Sequence, residues 1–238
     1  NEILRKAFER NKNLKIIDTQ NFSERELVRG FCLFEALKKY FNGKSWLDFP
    51  DDIKYRKKES VNYYENLLKD EIEYNVFVQC LFYKQYFELK DYANDLGIKI
   101  FGDLPIYVSK ESSDMWQNPD MFVVNEDLSP KLVAGVPPDR FSETGQYWGN
   151  PVYDWDYCEK TGFDWWIKRL QHNLKMYDVL RLDHFRGFEA FWAIDASEIT
   201  AENGRWIKAK GAKLFEILKK ENLIGKIVAE DLGLITDD

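Results

Sequence analysis

The sequence predicts an α/β fold built on a parallel β-sheet, and two observations carry that prediction. A helical pattern, a short connection and a β-rich run follow one another three times, over residues 61–101, 164–185 and 212–231. Parallel strands need such crossovers. Each β-rich run also closes on acidic groups: Asp103, Asp183, and Glu230 with Asp231. In parallel α/β sheets ligands meet the carboxyl ends of the strands, so chemistry is expected at these positions.

Taken in order, residues 24–40 place Leu27, Phe31, Phe34, Leu37 and Phe41 at spacings of three and four, the pattern of an amphipathic helix. Ser23 with Glu26 reads as a capping box at its start, and Asn42-Gly43 ends it. Gly43-Lys44-Ser45 has the tail of a phosphate loop, but Lys38 stands where the upstream glycine is required. Residues 61–96 form one long helical pattern or two abutting ones, with Leu67, Leu68, Ile72, Phe77, Leu81, Phe82, Phe87, Leu89, Tyr92 and Leu96 as the expected buried stripe. Gly97 sits at the C-cap. Ile98-Lys99-Ile100-Phe101 then reads as a strand, closed by Gly102-Asp103-Leu104-Pro105.

The second unit is a helix over 164–177 followed by a strand over 179–185. The third is a helix over 212–221 and a strand over 226–231. Residues 104–178 separate the first two strands. Their first part, dense in Pro, Gly, Asn, Asp and Trp, is too long for a scaffold connection and reads as a binding insertion. Thr236 is an N-cap candidate at the end. No self-similarity of a solenoid kind is present.

Composition bounds the function. The 238 residues carry 34 Lys+Arg against 41 Asp+Glu, a net charge of −7 without a basic block, which disfavours a general nucleic-acid binder. No run approaches the roughly 18 apolar residues of a membrane span, and the first residues have no apolar signal core. Cys32, Cys80 and Cys158 are odd in number and widely spaced, so neither a disulfide framework nor a zinc site is indicated and the reducing cytoplasm is the expected compartment. Asn21-Phe22-Ser23 matches a glycosylation sequon that nothing else supports. The outlier is aromatic content, 16%, with eight Trp and thirteen Tyr.

Asp183 and Glu230 are one strand–helix unit apart. Adjacent strands lie about 4.8 Å apart, and carboxyl groups about 5–5.5 Å apart serve a retaining glycosidase as nucleophile and acid/base. Period-two alternation points Arg181 and Asp183 to one face. The pair reads equally as a charged nucleophile held by its arginine or as a structural ion pair at a strand end. His184 is a hydrogen-bond donor to a ligand hydroxyl or a partner for backbone groups, and His172 reads as a helix-surface residue. Neither histidine has metal-ligand spacing, and no G-x-S-x-G or G-x-G-x-x-G is present. Trp116, Tyr147, Trp148, Tyr153 and Trp155 lie in the insertion, where flat rings suit sugar faces and core packing is the competing account.

Five ordered segments then carry a resemblance: Gly102-Asp103-Leu104-Pro105-Ile106-Tyr107-Val108; Ala134-Gly135-Val136-Pro137-Pro138-Asp139; Gly145-Gln146-Tyr147-Trp148-Gly149-Asn150-Pro151; Arg181-Leu182-Asp183-His184-Phe185-Arg186-Gly187-Phe188; and Ala229-Glu230-Asp231-Leu232-Gly233. With them the chain resembles the 4-α-glucanotransferases, or amylomaltases, of the α-amylase superfamily.

The resemblance implies part of a (β/α)8 TIM barrel, about three central strands, with helical and loop-rich insertions. Residues 1–95 would be a mainly helical inserted subdomain and the helix leading into the barrel. Residues 96–238 would be the central part of the catalytic barrel, with a glucan-binding insertion at about 104–160. It implies transfer of α-1,4-glucan segments between maltodextrins by retaining double displacement, with Asp183 as nucleophile and Glu230 as acid/base. Arg181 would pair with the nucleophile. Asp103, His184, Asp139, Phe141, Trp148 and Asn150 would join it in binding substrate, and residues 136–148 would cover the bound glucan. The implied partners are α-1,4-glucans, with no nucleic acid, membrane, cofactor or metal. Alternatives are an α-glucan hydrolase of the same superfamily and a non-catalytic glucan-binding module. Arg140 stands beside Phe141 where many relatives carry an aromatic residue. The family's third carboxylate and its first two and last three barrel strands have no counterpart, so the chain is expected to be an internal fragment, inactive alone.

Overall fold

In the computed structural model, which describes residues 2–231, the first of two units ends at Tyr92 and is helical. It comprises α1 (Glu2–Leu14), α2 (Arg25–Tyr40), α3 (Asp51–Lys54), α4 (Lys58–Leu67) and all but the last turn of α5 (Lys69–Asp95), with a 3-10 turn at Trp46–Asp48. Cys32, Leu33, Phe34, Leu37, Trp46, Ile53, Val76 and Phe77 are its buried centre. Two expectations need correction. The α2 stripe is rotated: Val28, Cys32 and Leu33 are buried while Leu27 and Phe31 are exposed. Along the 61–96 pattern, split as α4 and α5, Leu67, Phe82, Leu89, Tyr92 and Leu96 are likewise exposed. The capping box is also absent. Glu24 occupies the N-cap of α2 and its side chain does not cap the helix, while Ser23 Oγ donates to the Glu24 carboxylate.

The second unit begins at Ala93. Gly97, at φ +77°, closes α5 as expected: its N–H reaches the Asn94 carbonyl and the Ile98 N–H reaches that of Ala93. The strands and helices that follow are β1 (Phe101–Leu104), α6 (Ser113–Gln117), β2 (Leu132–Val136), β3 (Gln146–Pro151), α7 (Trp155–Lys160), α8 (Asp164–Met176), β4 (Val179–Leu182), β5 (Ala190–Asp195), β6 (Arg205–Lys208), α9 (Gly211–Lys220) and β7 (Ile227–Ala229).

β1, β4 and β7 form the expected parallel sheet, in the order β1-β4-β7. One face, with Gly102, Leu104, Leu180 and Leu182, is buried, and α8 packs on β1 and β4. The other face carries Phe101, Asp103, Arg181 and Val228, none of them buried. β1 starts later than the predicted Ile98–Phe101 run.

A second sheet was not expected. It is antiparallel, in the order β3-β2-β5-β6, so the supposed loop-rich insertion supplies half of a sheet whose other half follows β4. Trp116, Tyr153 and Trp155 are buried there as core and not offered to a ligand. Tyr153 packs on Trp166, and Trp155 stacks on Trp166 in turn. No helix among the described residues is long and apolar enough to cross a membrane. The N-cap candidate Thr236, like Leu232 and Gly233, lies outside the described residues.

Candidate active site

Strand register puts the carboxylates together. Arg181 pairs with Asp103 on β1 and with Val228 on β7. One residue beyond the last registered pair, Leu182↔Ala229, stand Asp183 and Glu230. The ladder reaches them: the Asp183 N–H donates to the Leu104 carbonyl at 3.0 Å, and the Glu230 N–H to the Leu182 carbonyl at 3.2 Å. Asp103, Arg181, Asp183 and Glu230 therefore share one sheet face, as alternation requires.

Arg181 is the hub. Its Nη1 lies 2.7 Å from Asp103 Oδ1 and 2.9 Å from Asp183 Oδ1, and its Nη2 lies 2.6 Å from Glu230 Oε1. Hydrogen bonding to Asp103, with the charges of all three carboxylates, raises the guanidinium pKa above its already high value. Glu230 is the most enclosed of the three, its side chain 13% exposed against 42% for Asp183 and 60% for Asp103. Its second oxygen accepts the His184 backbone N–H at 2.6 Å. Both Glu230 oxygens thus face donors.

His184 adopts the left-handed region at φ +50° and caps the 3-10 turn Phe185–Phe188. That conformation turns its N–H toward Glu230. Its Nε2 is buried without a hydrogen-bond partner. Burial holds the imidazole pKa below its ordinary value, with Arg186 acting in the same sense and Glu230 and Asp183 opposing. The Trp148 ring meets His184 edge-on at 4.8 Å between centroids, and Tyr107 lies 6.4 Å away.

The remaining expected residues sit in supporting positions. Asn150 Nδ2 donates to the Val108 carbonyl at 2.9 Å, tying β3 to the segment after β1. Asp139 Oδ1 accepts the N–H groups of Phe141 and Ser142 and shapes the tip of the β2–β3 loop. Phe141 is 82% exposed at that tip, with the Arg140 guanidinium over its ring. Asp103, Arg181, Asp183, His184, Glu230 and Trp148 are therefore linked by direct contacts, whereas Asp139, Phe141 and Asn150 make none of these contacts.

Three residues escaped sequence reasoning. Tyr107 belongs to the first of the five segments but stands on the bend beyond β1, where strand alternation gives no guide to its direction. Gln146, in the third of those segments, has a side-chain oxygen that accepts the Trp148 indole N–H at 3.0 Å, a contact that spacing does not show. Arg169 on α8 donates to the Ile106 and Pro105 carbonyls, a long-range tie invisible in sequence. Among the described residues no group of three or more His, Cys, Asp or Glu is arranged to hold a metal ion. The three clustered carboxylates surround an arginine instead.

A family model described as 4-alpha-glucanotransferase matches residues 1–238. The 4-alpha-glucanotransferase of Clostridium butyricum is 49% identical over 243 residues, covering 100% of this chain and 49% of that protein. That of Aquifex aeolicus is 47% identical over 237 residues, with 100% and 49% covered. The solved amylomaltase from Streptococcus agalactiae in complex with acarbose superposes with a TM-score of 0.93 at 42% identity, over 100% of this chain and 49% of that one. The chain spans about half the length of these relatives.

Proposed function

This chain belongs to the 4-alpha-glucanotransferase family, and we propose that the protein carrying it transfers α-1,4-glucan segments between maltodextrins by a retaining double displacement. Asp183 attacks the anomeric carbon while Glu230 gives its proton to the departing glycosidic oxygen, leaving a glycosyl ester on Asp183. The 4-hydroxyl of an acceptor then attacks that carbon, Glu230 takes its proton, and the ester bond breaks. The observation that carries this reading is the placement of Asp183 and Glu230 on neighbouring parallel strands, on one face, sharing Arg181. The unpartnered His184 Nε2 suits a sugar hydroxyl, and Trp148 beside it offers a ring edge and face.

The same reading places β1, β4 and β7 as neighbouring strands of a (β/α)8 barrel with its site at their carboxyl ends. Residues 1–95 belong to a helical insertion and 96–238 to the barrel. With β1 and β7 as open edges among the described residues, the 238 residues alone are expected not to turn over. A cytoplasmic setting accords with three free, buried thiols.

Incubation of the full-length protein with maltotriose tests the reading. A ladder of longer and shorter oligomers is expected, and Asp183→Asn should abolish it while maltodextrin binding persists. Shortening alone would make the protein a hydrolase, and turnover surviving in Asp183→Asn would remove the nucleophile from its role.

A further inference from the structure

We propose that residues 196–204, the connection between β5 and β6, form a strut that holds the β2–β3 loop in place, with Trp192 and Ala201 as its positioning residues. The connection folds back over the second sheet. There Ala201 is fully buried against Val133 and Ile194, with Trp192 and Ala196 packed around them. Two hydrogen bonds run in series through Ala201. The Trp192 indole N–H donates to its carbonyl at 2.8 Å, and its own N–H donates to the Thr144 carbonyl at 3.0 Å.

Contact at the next residue is just as close. Gly145 has φ +68°, and a Cβ there would stand 2.4 Å from the Val136 carbonyl oxygen and 2.8 Å from the Ala201 Cβ. Only glycine lets the loop base settle onto the strut.

The loop above this base is tied to itself. Asp139 holds the N–H groups of Phe141 and Ser142, and Ser142 Oγ donates to the Gly145 carbonyl at 2.7 Å. Its tip therefore moves as one piece on the Thr144–Gly145 base. The base leads directly into Gln146, which orients the Trp148 indole, and Trp148 meets His184. Height and angle of the loop are thus set at its base, by residues that touch none of the carboxylates. The consequence for catalysis rests on the proposed function, in which this loop covers the glucan and disfavours water as acceptor; the strut itself does not.

Trypsin reads the loop directly, because the Arg140–Phe141 bond is exposed at the tip. In the full-length protein, Trp192→Phe removes the indole N–H and keeps an aromatic ring. Cleavage at Arg140 should accelerate about fivefold, the population change that one net hydrogen bond allows, while cleavage at other sites stays as in the wild type. Ala201→Gly should act in the same direction and serves if Trp192→Phe does not fold. Unchanged cleavage at Arg140, or equal acceleration everywhere, would overturn the strut. With maltotriose, both variants should raise hydrolysis relative to transfer. Selective opening with an unaltered ratio would keep the strut and overturn the covering role given to the loop.

Discussion

Replacing Tyr153 by Phe tests how the segment that leads from Asp103 to Tyr107 is held. The Tyr153 hydroxyl is buried, donates to the Ile106 carbonyl at 2.8 Å and accepts from Arg169 Nη1 at 3.2 Å. Burial raises the phenol pKa, so the O–H is present throughout the neutral range. Without the hydroxyl, Ile106 still receives Arg169 Nη1 at 3.0 Å, and Arg169 Nη2 still reaches Pro105 at 2.8 Å. No carbonyl is orphaned, so the cost is the two hydrogen bonds that the hydroxyl makes, about 2 kcal/mol. For a chain of this size that lowers the melting temperature by roughly 4–8 °C. Tryptophan emission should follow the transition, since Trp165 and Trp166 lie 5.8 and 4.9 Å from the Tyr153 ring. Arg169→Met removes donors from two carbonyls and should cost about twice as much or more. The double variant should fall short of the sum, because both residues serve Ile106. A Tyr153→Phe loss above about 3 kcal/mol would mean that Arg169 does not secure Ile106, and the reasoning would fail.

Two further outcomes follow from burial. The folded imidazole of His184 is held below the ordinary value of 6.5, so as pH falls the unfolded chain binds the proton first and stability declines from about that point until the folded imidazole also protonates. His184→Gln should flatten the stability profile between about pH 7 and 5 in urea titrations, and an unaltered slope would contradict the burial argument. The Cys32 and Cys158 thiols are each pushed up to about 12 by burial. At pH 8 both should react with a disulfide reagent about a thousandfold more slowly in the native protein than in urea, and rapid native labelling of either would refute that.

The parallel sheet was legible because its signals are local. Each strand follows a helix with a clean apolar stripe or a glycine stop, and each ends on a carboxylate. The antiparallel sheet was not. Leu132–Val136 is a short apolar run without alternation, and Gln146–Pro151 has two residues, Gly149 and Pro151, that strands disfavour. The pairing of Leu132–Val136 with Ala190–Asp195 crosses more than fifty residues, from Gly135 to Trp192. Periodicity found α2 yet misjudged its buried face, since Val28, Cys32 and Leu33 pack while Leu27 does not. At the site, alternation alone aligned Arg181 with Asp183. That Glu230 also bonds the arginine depended on register with a third strand, which spacing permitted and could not establish. Tyr153 and Trp155 were ambiguous for another reason: aromatic rings in a segment without period serve a core and a sugar equally well.

Arg181 gives the proposed reaction a particular economy of charge. Before attack, Asp183 must be ionised and Glu230 protonated; in the glycosyl ester, Asp183 is neutral and Glu230 carries the charge. One negative charge therefore moves from the end of β4 to the end of β7, and the pair's total is unchanged. A counter-ion bound to only one carboxylate would have to shift at every half-reaction. Arg181 places one nitrogen 2.9 Å from Asp183 and the other 2.6 Å from Glu230, so the same guanidinium neutralises whichever is charged without moving. Asp103 accepts from the first of these nitrogens and so helps fix the guanidinium in place. The His184 N–H is a second donor on Glu230, facing the oxygen that Arg181 leaves free. A lysine at position 181 would supply the charge but not two nitrogens in a fixed fork, and so could not serve both ends of that transfer.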